Sequence, residues 1–207
     1  MKTNYTDFPL METRNKSYPL FYPYVSKKSI KSVPNVLRTR WIGQGPLVDK
    51  FEKIFKKKFA PTNECVAVGS GTDALHLAYI LANIKKNDEV IAPVFTCTAT
   101  NIPLLYIGAK IKFADIDPKT MNISIDHVKK LITKKTKAII FVNYGGVPCD
   151  LLELKKLKKK YNLTLIQDAA QSLGSKVEKK HITEFADFTI FSFQAIKHIT
   201  SGDGGML

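Results

Sequence analysis

Beyond residue 64 the sequence settles into an alternation that few folds can accept. Short apolar runs at 65–68, 90–92, 111–114, 138–142, 163–166 and 188–193 are separated by longer stretches of helical pattern at 72–84, 97–107, 124–132 and 150–160. Runs this short suit strands, and the apolar spacing between them suits helices. Strands alternating with helices imply crossover connections and a mainly parallel sheet covered on both faces. The expected fold is therefore α/β, a three-layer α/β/α sandwich. Ligands of such sheets gather beyond the carboxyl ends of the strands. Three places on that edge can be named: the turn at 69–72, Asp168, and the segment 192–197.

Upstream the pattern differs. Leu47, Val48, Phe51, Ile54, Phe55 and Phe59 recur at three- and four-residue steps, predicting an amphipathic helix over 47–59 after the Gly43-Gln44-Gly45-Pro46 turn. A helix is also expected to start near Ser26, with Pro34 kinking or breaking it. Residues 1–25, with Pro9, Pro19 and Pro23, show no period and are expected to form an extended N-terminal arm. The remainder, 26–207, is expected to be one large domain.

The net charge of +14 comes almost wholly from lysine, since Arg14, Arg38 and Arg40 are the only arginines. Nucleic-acid readers lean on arginine for bidentate contacts, so a basic nucleic-acid-binding module is the weaker reading and solvated lysine faces the better one. Lys155, Lys156, Lys158, Lys159 and Lys160 fit that pattern, interleaved with Leu151, Leu154 and Leu157. Cys65, Cys97 and Cys149 are odd in number and widely spaced, which argues against a disulfide framework and against a zinc site. No apolar run approaches the roughly 20 residues of a membrane span, and no signal-peptide core is visible. A soluble, cytoplasmic protein with no membrane partner is the expectation.

Gly69-Ser70-Gly71-Thr72-Asp73 follows a strand and opens a helix. Unpaired N–H groups at a helix N-terminus beside small residues and hydroxyls make an anion cradle, although an ordinary capped helix start would look the same. Asp168 ends an apolar run, where it could serve as a helix cap or as a ligand of something bound. Lys197 follows the aromatic-rich run Phe191-Ser192-Phe193 and precedes Ser201-Gly202-Asp203-Gly204-Gly205. A carboxylate at the end of one apolar run and a lysine just past a second are what pyridoxal phosphate chemistry requires. His76, His127 and His181 show no metal-ligand spacing, and no metal is expected. Asp115 and Asp117 resemble a paired-carboxylate site, but Pro118 and Thr120 favour a turn.

Four strings, in order, resemble the DegT/DnrJ/EryC1/StrS family of sugar aminotransferases: Arg40-Trp41-Ile42-Gly43-Gln44-Gly45-Pro46, Gly69-Ser70-Gly71-Thr72-Asp73-Ala74-Leu75, Asp168-Ala169-Ala170-Gln171, and the segment from Ser192 to Gly205. The resemblance implies the large domain of a fold-type I enzyme dependent on pyridoxal 5'-phosphate. It implies that Gly71 and Thr72, together with Ser192, hold the cofactor phosphate, with Ser70 also among the cofactor-binding residues. Asp168 would pair with the ring nitrogen, Gln171 would contact the ring hydroxyl, and Lys197 would carry the cofactor covalently. The activity implied is transfer of an amino group, from glutamate, to a keto-sugar linked to a nucleotide, in a homodimer. Related dehydratases have histidine where Lys197 stands, so the lysine favours transamination.

Two departures accompany the resemblance. The position of Cys97, just before Thr98-Ala99-Thr100, commonly holds an aromatic that stacks on the cofactor ring, so either the Cys97 sulfur covers the ring or Phe95 substitutes. The family also continues into further strands and a small C-terminal domain. The sequence therefore reads as a large domain incomplete at its C-terminus, either part of a longer enzyme or a cofactor-binding fragment without turnover.

Overall fold

The structure is a computed structural model that describes residues 23–207. The arm expected over 1–25 falls mostly outside the described residues. The first helix, α1 (Lys27–Thr39), is capped by Ser26, whose hydroxyl accepts the Ser29 N–H. It runs on through Pro34 instead of breaking there. A mid-helix proline leaves a carbonyl one turn back without its donor. No residue of α1 is buried, so water can serve that carbonyl. Helix α2 (Pro46–Phe59) begins with proline, where the missing N–H is harmless. The turn before it is locked by Trp41, whose indole N–H donates to the Gln44 carbonyl at 2.7 Å.

The expected alternation is present. Strands β1 (Ala67–Val68), β2 (Glu89–Pro93), β3 (Lys110–Ala114), β4 (Thr136–Val142) and β5 (Thr164–Asp168) alternate with helices α3 (Gly71–Leu81), α4 (Thr98–Ile107), α5 (Ile125–Leu131) and α6 (Leu151–Tyr161). A small hairpin, β6 (Lys176–Val177) and β7 (Lys180–His181), precedes β8 (Phe188–Ser192) and β9 (Gly205–Met206). The 7-stranded sheet has the order β1-β9-β8-β5-β4-β2-β3. Pairing is parallel from β3 through β8, and β9 runs antiparallel to both β8 and β1. Ile116 forms a β-bridge with Ile123, and Asp117 opens a turn over residues 118–120, its Oδ1 accepting the Lys119 N–H at 2.7 Å.

Successive side chains of each strand enter opposite layers. From β4, Ala138 and Ile140 pack with Leu75, Ala78 and Tyr79 of α3 and Leu104 of α4. Ile139 and Phe141 pack on the other side with Phe55 of α2, Val128 of α5, and Leu151, Leu154 and Leu157 of α6. Burying each large apolar side chain contributes about 1.5–3 kcal/mol, whereas an exposed ion pair such as Lys156–Glu153 is screened by water and adds little. The two apolar layers, not the lysine-rich exterior, hold the sheet. No helix among the described residues is long and apolar enough to cross a membrane.

Candidate active site

The three places named from the sequence come together at one edge of the sheet. Ser70 caps α3, its Oγ accepting the Asp73 N–H at 3.0 Å. The following residues, Gly71 and Thr72, present the free N–H groups that open every helix. Gly71 touches the end of β8: a Cβ there would lie 2.9 Å from the Ser192 Cβ. Beneath them β9 presses Gly205 against the Ser70 carbonyl, where a Cβ would come within 2.3 Å. Both glycines are needed for close approach, and together they bring a helix N-terminus and the Ser192 hydroxyl to one point. That arrangement suits an anion.

Asp168 is the last residue of β5 and is 5% exposed. No helix begins at the turn after it, so it is not a helix cap. Its Oδ1 accepts the Ala170 N–H at 3.0 Å and its Oδ2 accepts the Thr100 hydroxyl at 2.8 Å. Among the described residues no cation forms an ion pair with it. Burial pushes its pKa above the ordinary carboxylate range, opposed by the Ala170 and Thr100 hydrogen bonds and by the positive charge of Lys197. An isolated buried carboxylate is expensive unless it meets a cation or a strong donor.

Lys197 stands in a loop that leaves β8 and returns through β9. The loop is closed at its neck by Phe193, whose N–H donates to Gly204 and whose carbonyl accepts from Ser201 N–H and the Thr200 hydroxyl. The Phe193 ring packs edge-on against Phe51 of α2 at 5.1 Å between centroids. Lys197 itself is half-buried, and its N–H donates to the Gln194 carbonyl at 2.9 Å. The apolar stripe of α2 thus anchors the root of the lysine loop.

Gln171 lies just beyond Asp168, with Oε1 accepting the Gly145 N–H at 2.7 Å. That bond turns the amide nitrogen, a donor, away from Gly145. The 143–148 loop, unspecific in sequence, is held by Asn122, which accepts the Tyr144 N–H and donates to the Val147 carbonyl. Phe95 packs its ring on Tyr144 at 4.9 Å between centroids, while Cys97 is exposed at the start of α4. Both candidates for the stacking role therefore stand near the open side of this edge, and Phe95 already has an aromatic partner.

Sequence reasoning missed Thr100, Thr96 and Tyr79. Thr96 and Thr100 hydroxyls are 2.7 Å apart, and the Tyr79 hydroxyl donates to the Thr100 carbonyl at 2.6 Å. The available signal was position: Thr100 sits one turn before Leu104, on the buried face of α4. A hydroxyl on that face needs a partner.

The profile of the DegT/DnrJ/EryC1/StrS aminotransferase family matches residues 23–207. The chain is 38% identical over 196 residues to GDP-perosamine synthase of Escherichia coli O157:H7, covering 93% of this chain and 53% of that protein. A putative sugar aminotransferase of Streptococcus pneumoniae, Spr1654, solved in a PLP form, superposes with a TM-score of 0.84 at 31% identity, covering 91% of this chain and 52% of that one. A mutant of GDP-4-keto-6-deoxymannose-3-dehydratase (ColD) with bound GDP-perosamine superposes with a TM-score of 0.85 at 32% identity, covering 92% and 50%. The chain spans about half the length of the curated relatives it matches.

Proposed function

The chain belongs to the DegT/DnrJ/EryC1/StrS aminotransferase family, and from that premise we propose that it serves transfer of an amino group, from glutamate, to a nucleotide-linked keto-sugar. The cofactor proposed is pyridoxal 5'-phosphate. When bound, it supplies an electron-accepting ring that lets the amino group leave its donor. The observation that carries the reading is Asp168, a buried carboxylate with no ionic partner among the described residues, at the same sheet edge as a helix N-terminus. A phosphate and a protonated ring nitrogen are the two charges those features would accept.

The roles proposed rest on the family resemblance of these residues, and the geometry of the site supports them. The Gly71 and Thr72 N–H groups, with the Ser70 and Ser192 hydroxyls, would hold the phosphate. Ser70 is already committed to Asp73, so its share would be the smaller. Asp168 would keep the ring nitrogen protonated, and the Gln171 amide nitrogen would donate to the ring hydroxyl. Lys197 would bind the cofactor through Nζ and then carry the proton at the reacting carbon. Phe95 or Cys97 would cover the ring. Lysine at 197, in place of histidine, supports transamination over dehydration. A homodimer is part of the proposal, read by light scattering.

The direct test is attachment. Protein loaded with pyridoxal phosphate and reduced with borohydride should carry the cofactor on Lys197 in a peptide map. An adduct on another lysine, or none, would remove the assignment. Glutamate added to the loaded protein should change the cofactor's absorbance, and an unaltered spectrum would remove glutamate as donor.

A further inference from the structure

Thr100 is fully buried, and its hydroxyl lies 2.8 Å from Asp168 Oδ2 and 2.7 Å from the Thr96 hydroxyl. An ionised carboxylate only accepts, so Thr100 must donate to it. That uses its single proton, and Thr96 must then donate to Thr100. The result is a chain of hydroxyls pointing one way, from the half-buried Thr96 inward to the carboxylate. Tyr79 holds the same residue from behind, donating to the Thr100 carbonyl at 2.6 Å. The other carboxylate oxygen is fixed by the Ala170 N–H at 3.0 Å.

We propose that Thr100 is a positioning residue for the cofactor: fed by Thr96, it fixes Asp168 so that the carboxylate meets the cofactor's ring nitrogen in one orientation. This rests on the reading of the site given above. Thr100 does not touch the reacting atoms, and its effect passes through Asp168. A threonine that merely filled space could be replaced by valine, which has the same shape. A threonine that positions Asp168 could be replaced by serine, which keeps the hydroxyl.

The chemistry supplies a probe that separates positioning from packing. The 1-deaza analogue of pyridoxal phosphate keeps the phosphate, aldehyde and ring hydroxyl but has C–H in place of the ring nitrogen. Binding of both compounds to the full chain is followed by absorbance titration for wild type, Thr100→Val, Thr100→Ser and Thr96→Val. Thr100→Val should lose roughly tenfold in affinity for pyridoxal phosphate, as expected for a hydrogen bond to a charged group. It should bind the deaza analogue as wild type does. Thr100→Ser should retain most of the affinity, and Thr96→Val should show a smaller loss confined to pyridoxal phosphate.

Equal losses for both compounds would make Thr100 a packing residue and overturn the proposal. So would wild-type affinity for pyridoxal phosphate in Thr100→Val. If Thr100→Val does not fold, Thr96→Val carries the same comparison from a site outside the core. A wild-type protein that binds neither compound would overturn the cofactor reading itself, and this inference with it.

Discussion

Asp168 and Lys197 stand at the same edge of the sheet but are held by different means. Asp168 ends a central strand, with hydrogen bonds from α4 and from its own turn fixing both oxygens. Tyr79 then ties α4 back to α3, so two helices stand behind one carboxylate. Lys197 lies on a loop whose neck is pinned at Phe193 and whose tip is secured by short-range turn bonds. The carboxylate is part of the core, whereas the lysine is mounted on it. Substitutions near Asp168 should therefore change stability and binding together, and substitutions at Lys197 should change function alone.

The largest effect should come from Lys197→Ala. The proposed transamination should be lost and borohydride should fix no cofactor, because among the described residues named at this site only Lys197 offers an amine. The unfolding midpoint should move little, within the roughly 0.5 kcal/mol usual for a side chain that holds no structure. A clear loss of stability would break the comparison, since the lysine would then be supporting its loop.

Next in size is Asp168→Asn. A charged pair at about 4 Å and an effective dielectric near 20 contributes about 4 kcal/mol, roughly a thousandfold in rate. A loss under about tenfold would reduce Asp168 to a structural acceptor. Stability should move the other way. Burial raises the Asp168 pKa, so in that window the native state binds its proton more tightly than the unfolded state. The stability this provides is full at acid pH and is lost as pH rises through the folded value. Asparagine cannot ionise, and the Thr100 hydroxyl can rotate to accept from its amide. Without cofactor, Asp168→Asn should lose less stability between acid and neutral pH than wild type does. Urea midpoints across that range measure it, and a steeper loss in the variant would mean that the hydrogen bonds outweigh burial.

The asymmetry also explains what was legible in the sequence. The placement of Lys197, Asp168 and the Gly71-Thr72 turn at one edge of the sheet was legible because each follows an apolar run that reads as a strand. The helices agreed within a residue or a few, since their apolar stripes at α2 and α6 are unmistakable. Thr100 was not legible, because a threonine near a helix start is unremarkable until the fold sets it against Asp168, 68 positions away. The β6–β7 hairpin was missed because strands of two residues carry no periodicity. Pro34 misled because local propensity ignores exposure, and an exposed helix tolerates an unpaired carbonyl.

Tyr79→Phe tests whether the support behind Asp168 reaches α3. The change removes a buried hydrogen bond to the Thr100 carbonyl, which keeps its own acceptor role in α4, a net loss of about 0.5–1.5 kcal/mol. Cofactor affinity should fall with stability, because the same residue anchors the Asp168 partner. Chemical denaturation and absorbance titration of one sample give both numbers. Stability lost with affinity unchanged would confine Tyr79 to packing and uncouple α3 from the carboxylate.

The smallest effect should come from Ser70→Ala, and it tests the other end of α3. The Ser70 Oγ already accepts the Asp73 N–H, so its main work is to cap the helix. Losing such a cap costs about 1 kcal/mol. The Gly71 and Thr72 N–H groups survive the change, as does the Ser192 hydroxyl beside Gly71. Affinity for pyridoxal phosphate should then fall only slightly, and less than in Ser192→Ala, whose hydroxyl is not needed for the helix. Urea midpoints and absorbance titrations of the two variants separate the roles. If Ser70→Ala loses more affinity than Ser192→Ala while keeping its stability, the cap is dispensable and Ser70 belongs to the phosphate rather than to the helix. The rigid side of the site would then owe its order to the ligand, and the contrast with the lysine loop would vanish.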